Sequence, residues 1–212
     1  MNKPLALIAS LSLVVAASNV FAASSVDLTV TGVITPSACT PQLSAGGIVD
    51  HGKISISDLK NGMNPLEKVT LQMSVNCNAA IPFAILSTDN RENSATNANQ
   101  QSTRSLFGLG FSEDGQKLGN YVLTMDNAMA DGMASPIVEA INRDTWFSAP
   151  ADQIWQPGWM RSVSAPGTPG NVPVPVQTLV TDLVIATSIK KPTMTTEEIS
   201  LDGSATLSIV YL

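Results

Sequence analysis

One histidine and two cysteines, His51, Cys39 and Cys77, leave this chain a narrow range of chemistry. A zinc site built from several imidazoles is excluded, and a serine triad would have to use His51. No serine lies in a G-x-S-x-G turn, and Ser112, within Gly110-Phe-Ser-Glu-Asp-Gly115, departs from that pattern. His51, between Asp50 and Gly52, reads instead as a strand-end or turn residue. Neither a P-loop nor a G-x-G-x-x-G after a strand is present to cradle phosphate. The seventeen acidic residues scatter mainly through expected loops and read as solvated surface. A hydrolase would require such carboxylates to converge in a pocket, as in glycosidases. Asp89-Asn-Arg-Glu-Asn93 lacks the glycine and spaced ligands of a calcium loop. The expectation is a protein that is not an enzyme, with no metal and no cofactor.

Trp146, Trp155 and Trp159 hold all the tryptophan of the chain, near Phe147 and Arg161 in a proline-rich stretch. Exposed aromatics on a loop stack against sugar rings or anchor a protein partner. These three are therefore the candidate ligand loop, with simple packing onto the body of the protein as the competing account.

The elements that would position these residues begin with an export signal. Lys3 supplies a positive start, Leu5–Ala17 an apolar run, and Val20-Phe-Ala22 the small-residue cleavage pattern, so residues 1–22 are expected to be removed. The run is shorter than the ~20 residues of a membrane span, and no later segment is long and apolar enough to cross one. Export implies an oxidising compartment, in which an even pair of cysteines reads as one disulfide, Cys39–Cys77. Closing that loop is worth roughly 3–4 kcal/mol. Loss of Lys3 takes the formal charge from −6 to −7, and no basic patch is left to bind nucleic acid.

The remaining residues read as strands. Val26, Leu28 and Val30 alternate with polar residues, as do Val69, Leu71, Met73, Val75 and Cys77, and then Ala205, Leu207, Ile209 and Tyr211. Period two marks a half-buried strand. Shorter candidates are 48–56, 81–87, 106–111, 120–125 and 177–189. Residues 88–105 are a polar loop, 149–175 a proline-rich loop or irregular edge, and 134–144 a short helix. Asp114-Gly115, Asp131-Gly132 and Asp202-Gly203 are expected tight turns. Many short strands with Gly- and Pro-rich turns predict an all-β sandwich.

The last expected strand runs to Tyr211-Leu212, and if it is central, its neighbouring edge stays uncovered and open to strand addition. Here the sequence resembles subunits of chaperone–usher fimbriae, pilin-like proteins. The resemblance rests on Val30-Thr-Gly-Val-Ile34 before Cys39, Val49-Asp-His-Gly52 before Ser55-Ile-Ser-Asp-Leu59, and Leu71-Gln-Met-Ser-Val-Asn-Cys77. The terminal Ser204-Ala-Thr-Leu-Ser-Ile-Val-Tyr-Leu212 adds a penultimate tyrosine. Leu109-Gly-Phe111, Gly115-Gln-Lys-Leu-Gly119 and Leu201-Asp-Gly-Ser-Ala-Thr206 look like a branch of fimbrial-like exported proteins.

The resemblance implies an incomplete immunoglobulin-like sandwich over residues 32–212, preceded by a donor extension, 23–31, with Val26, Leu28 and Val30 as the inserting residues. A periplasmic chaperone would grip Leu207, Ile209, Tyr211 and Leu212. An outer-membrane usher and other fimbrial subunits would then replace it, placing the protein in a surface fibre with a role in adhesion to a host or surface ligand. After the expected cleavage only nine residues, Ala23 to Thr31, precede Gly32, fewer than the family's usual extension. The alternative is therefore a self-contained periplasmic or surface protein that binds a ligand.

Overall fold

The computed structural model describes residues 28–32, 38–97, 104–167, 171–193 and 198–212. The expected signal peptide and Val26 lie outside them. Two compact units divide at Thr35/Pro36. In the first, residues 28–32 form no regular element, and Leu28 and Val30 are 88% and 87% exposed. Leu28 and Val30 therefore do not lie on a half-buried strand, because no ladder or core among the described residues takes up their side chains.

The second unit is an antiparallel two-sheet sandwich. In chain order its strands are β1 (Cys39–Leu43), β2 (Met63–Pro65), β3 (Val69–Ile81), β4 (Phe83–Asp89), β5 (Phe107–Gly108) and β6 (Gly119–Ala130). They continue with β7 (Met133–Ala134), β8 (Ile137–Ala140), β9 (Phe147–Ser148), β10 (Met160–Val163), β11 (Val176–Lys190) and β12 (Ala205–Tyr211). One sheet runs β1-β3-β11-β6-β5, with β2 on β11 and β7 on β6; the other runs β12-β4-β10-β8-β9. Taken as A to F, strands β1, β3, β4, β6, β11 and β12 give the A-B-E-D and C-F sheets of an immunoglobulin-type sandwich. The position beside β12, where a seventh strand G would pair, carries none among the described residues.

Period two places the core. Leu71, Met73, Val75 and Cys77 of β3 face Leu183 and Ile185 of β11 and Phe83 and Ile85 of β4 in one buried cluster. Each such side chain contributes about 1.5–3 kcal/mol by leaving water. Cys39 and Cys77 are directly paired across β1 and β3 and form the expected disulfide. Asn78 N donates to Ala38 O. The cysteines thus occupy the neighbouring non-hydrogen-bonded pair, where the backbones come closest. Asp131-Gly132 turns β6 into β7 with both residues at positive φ, the primed geometry that suits strand twist.

Several expectations are corrected. Residues 134–144 hold no helix: Ile137–Ala140 is β8, all four residues buried and paired with β10. A short apolar run carries no period that separates helix from strand, and pairing decided it. The 149–175 stretch is not all loop, since Met160–Val163 forms β10 at the centre of the second sheet. Only Phe107–Gly108 of 106–111 is strand, and 48–55 enters no ladder among the described residues, with Gly52 at positive φ, followed by a 3-10 turn at Ile56–Asp58. Asp202-Gly203 is not a tight turn. Gly203 makes a close approach there: a Cβ would sit 3.0 Å from Leu109 Cδ2 and 3.1 Å from Tyr121 Cε1, and those side chains would have to give by a few tenths of an ångström.

Candidate functional site

The site grows from the unpaired side of β12. Asn90 N donates to Ser204 O, and Leu212 N donates to Pro82 O. With the β12–β4 register, the even-numbered residues therefore turn their backbone groups toward β4. The N–H and C=O groups of Ala205, Leu207, Ile209 and Tyr211 point the other way, to a side with no strand among the described residues. Leu207 and Ile209 are only half-buried against the core, whereas their register partners on β4, Ser87 and Ile85, are fully enclosed. Of the sequence-predicted C-terminal residues, Tyr211 and Leu212 are exposed, and the Tyr211 hydroxyl accepts a hydrogen bond from Cys39 N at 3.0 Å.

Beside Leu207 opens a cleft of about 1310 Å³. Its floor is the inner face of the first sheet, including Leu71, Met73, Leu123, Leu183 and Ile185. One wall is β12 with the segment 198–204; the other is the stretch 48–55. An apolar floor between a strand edge without a partner and a segment without a ladder matches the requirements of strand addition. Main-chain groups supply affinity there, and alternate side chains fill pockets.

Polar contacts fix the rim. Arg91 Nε and Nη2 donate to Asp202 Oδ2 and Oδ1 at 2.6 and 2.7 Å, a two-pronged pair. The hydrogen bond from Arg91 holds the Asp202 carboxyl below the usual carboxylate range. Asp89 accepts from Arg91 N and Gly108 N, and Asn90 Nδ2 donates to Ser204 and Thr206. The segment Asp89–Asn93 is thus a structural tie to the 198–204 wall. Tyr121 lines the cleft, and burial, then the charge of Asp89, pushes its hydroxyl pKa up. His51 Nε2 lies 2.9 Å from Thr187 Oγ1 of β11, joining the 48–55 wall to the floor. In sequence His51 reads as a strand-end or turn residue, with no sign of its partner on β11. Thr187 and the Arg91–Asp202 pair gave no signal, since each depends on residues more than a hundred positions apart.

The tryptophans do not form an exposed ligand loop. Trp155 is 0% exposed, and its indole N–H donates to Trp159 O. It lies 5.6 Å from the guanidinium of Arg161, which is itself buried with Glu139. Burial lowers the Arg161 pKa, against the opposing charge of Glu139. Trp146 is half-buried over Ala84, Ala140 and Met160 on the outer face of the second sheet, its N–H donating to Arg143 O. Packing, not ligand display, places Trp155. Ser112 closes a tight turn, donating to Asp114 and accepting from Gln116 N, and no histidine is among its hydrogen-bond partners. Among the described residues, no group of three or more His, Cys, Asp or Glu side chains is placed to hold a metal ion. No helix among them is long and apolar enough to cross a membrane.

Residues 28–105 match a family described as a protein of unknown function, DUF1120. Over 95% of its length the chain is 30% identical to Protein GltF of Escherichia coli K12, covering 94% of that protein. It is 28% identical to the uncharacterized protein YhcF of the same organism, over 96% of this chain and 99% of YhcF. With nearly the whole of both chains aligned at that identity, this protein belongs to the same family as GltF.

Proposed function

We propose that this protein is an exported subunit of a chaperone–usher-type surface fibre, and that its cleft receives an extended strand from another chain. The observation that carries the reading is the odd-numbered edge of β12, whose backbone groups meet no strand among the described residues and whose Ala205 and Leu207 line the cleft. A periplasmic chaperone lends the missing strand during transit. At the outer-membrane usher, the amino-terminal segment of the next subunit takes its place, with Val26, Leu28 and Val30 as the inserting side chains. The exposure of Leu28 and Val30 supports a segment available to a neighbour. The disulfide supports an oxidising destination. The reading assigns no catalysis and no cofactor, and gives the protein a structural role in adhesion.

A synthetic peptide of residues 23–35, titrated into the purified protein, tests this. At a hundredfold excess over its Kd it adds about 2.7 kcal/mol of stability, which raises Tm by roughly 5–10 °C for a domain of this size. A peptide carrying Leu28→Asp and Val30→Asp leaves Tm unchanged. Equal shifts from both peptides, or none from either at millimolar concentration, overturn the proposal.

A further inference from the structure

We propose that residues 48–55 are a movable wall of the cleft, latched to its floor by the His51–Thr187 hydrogen bond and displaced when the cleft fills. The wall enters from a hinge of three consecutive residues at positive φ, Ala45, Gly46 and Gly47. Gly52 in its middle is also at positive φ, with open space where a Cβ would point. None of its residues joins a ladder among the described residues. Its backbone hydrogen bonds there are local: Ile48 N to Ala45 O, Gly52 N to Asp50 Oδ1, and Asp58 N to Ser55 O.

Among the described residues, two side-chain ties join it to elements distant in sequence. Lys53 Nζ meets Glu198 Oε1 at 3.1 Å, but both side chains are at least 90% exposed, and such a pair holds little. His51 Nε2 to Thr187 Oγ1, at 2.9 Å on a buried threonine, is the stronger of the two. Val49 and Ile54 touch the core only in part. Apolar contact is non-directional and permits sliding.

The wall also has space beside it. On one side is the 1310 Å³ cleft, and a second, solvent-open depression of about 480 Å³ lies against Leu66–Thr70, with His51 and Ile54 lining both. A segment bordered by unfilled volume loses dispersion partners there and keeps few restraints. An incoming side chain over β11 meets the imidazole at Thr187, so filling the cleft breaks the latch and displaces the wall. This step rests on the strand-receiving reading of the cleft; the latch itself does not.

Amide hydrogen exchange on the purified protein, without and with the 23–35 peptide, separates the two. Without peptide, amides 49–55 exchange faster than those of Leu71–Val75. Thr187→Val and His51→Ala each speed amides 49–55 about fivefold further, the effect of one lost hydrogen bond, and leave β3 unchanged. Wall amides as protected as β3, or unmoved by both variants, overturn the latch. Peptide that binds while amides 49–55 keep their rates overturns the displacement. Peptide that does not bind overturns the proposed function, and the variants still decide the latch.

Discussion

Glu139→Gln removes the negative half of a pair that the sandwich has withdrawn from water. Arg161 is 0% and Glu139 3% exposed, with Arg161 Nη2 3.2 Å from Glu139 Oε2 and 2.7 Å from Gln153 O. At that separation, with an effective dielectric constant near 20, the attraction is about 5 kcal/mol. Arg161 Nε and Nη1 have no hydrogen-bond partner, so little else compensates the charge. Half-buried Asp126 and the Trp155 ring lend partial support. Glu139→Gln therefore destabilises by about 3–5 kcal/mol, which moves a urea midpoint down by roughly 2 M. Arg161→Met alone strands Glu139 instead and has a comparable effect. The double variant is far less unstable than the sum, because it buries no uncompensated charge. Urea melts followed by tryptophan fluorescence and circular dichroism measure all three. A Glu139→Gln loss below about 1 kcal/mol, or additivity in the double variant, refutes the desolvated pair.

Two further outcomes are expected. Gly119→Ala places a Cβ on the Ser188 carbonyl oxygen and 2.9 Å from Ile189 Cα at φ +153°, neither of which can yield as a side chain would. The loss is about 2–4 kcal/mol in urea. Asp202 has a lower pKa folded than unfolded. Its pair with Arg91 therefore contributes above the unfolded value of about 3.9 and is lost as pH falls through the folded value. The Tm difference between wild type and Asp202→Asn is accordingly present at neutral pH and vanishes in strong acid; a difference that persists there contradicts the assignment.

What the sequence made legible follows from period two. Leu71, Met73, Val75 and Cys77 and the odd residues of 179–189 face inward with period two, because both strands lie central in a sheet with one solvated face. The disulfide was readable from compartment and parity alone. Strands β8 and β10 were not, because Glu139 and Arg161 look like surface charges until each is seen to bury the other. The same blindness made Trp155 resemble a ligand contact. An uncovered edge is expected in sequence only if the last strand is central, beside its neighbour; in the structure β12 is itself the edge strand. The opposite wall was anticipated as a strand, since Ile48 to Ile56 has strand-like composition and nothing in composition reports a missing partner.

The place where the disulfide sits has a mechanical consequence. The five-residue ladder of β1 could be peeled one hydrogen bond at a time by a pull on the chain ahead of Cys39, but the covalent bridge closes that end. Tension passes instead straight into Cys77, within a thirteen-residue strand gripped by β1 and β11. Failure then requires shearing many bonds together rather than unzipping them singly, so a pull on this chain meets its strongest layer first.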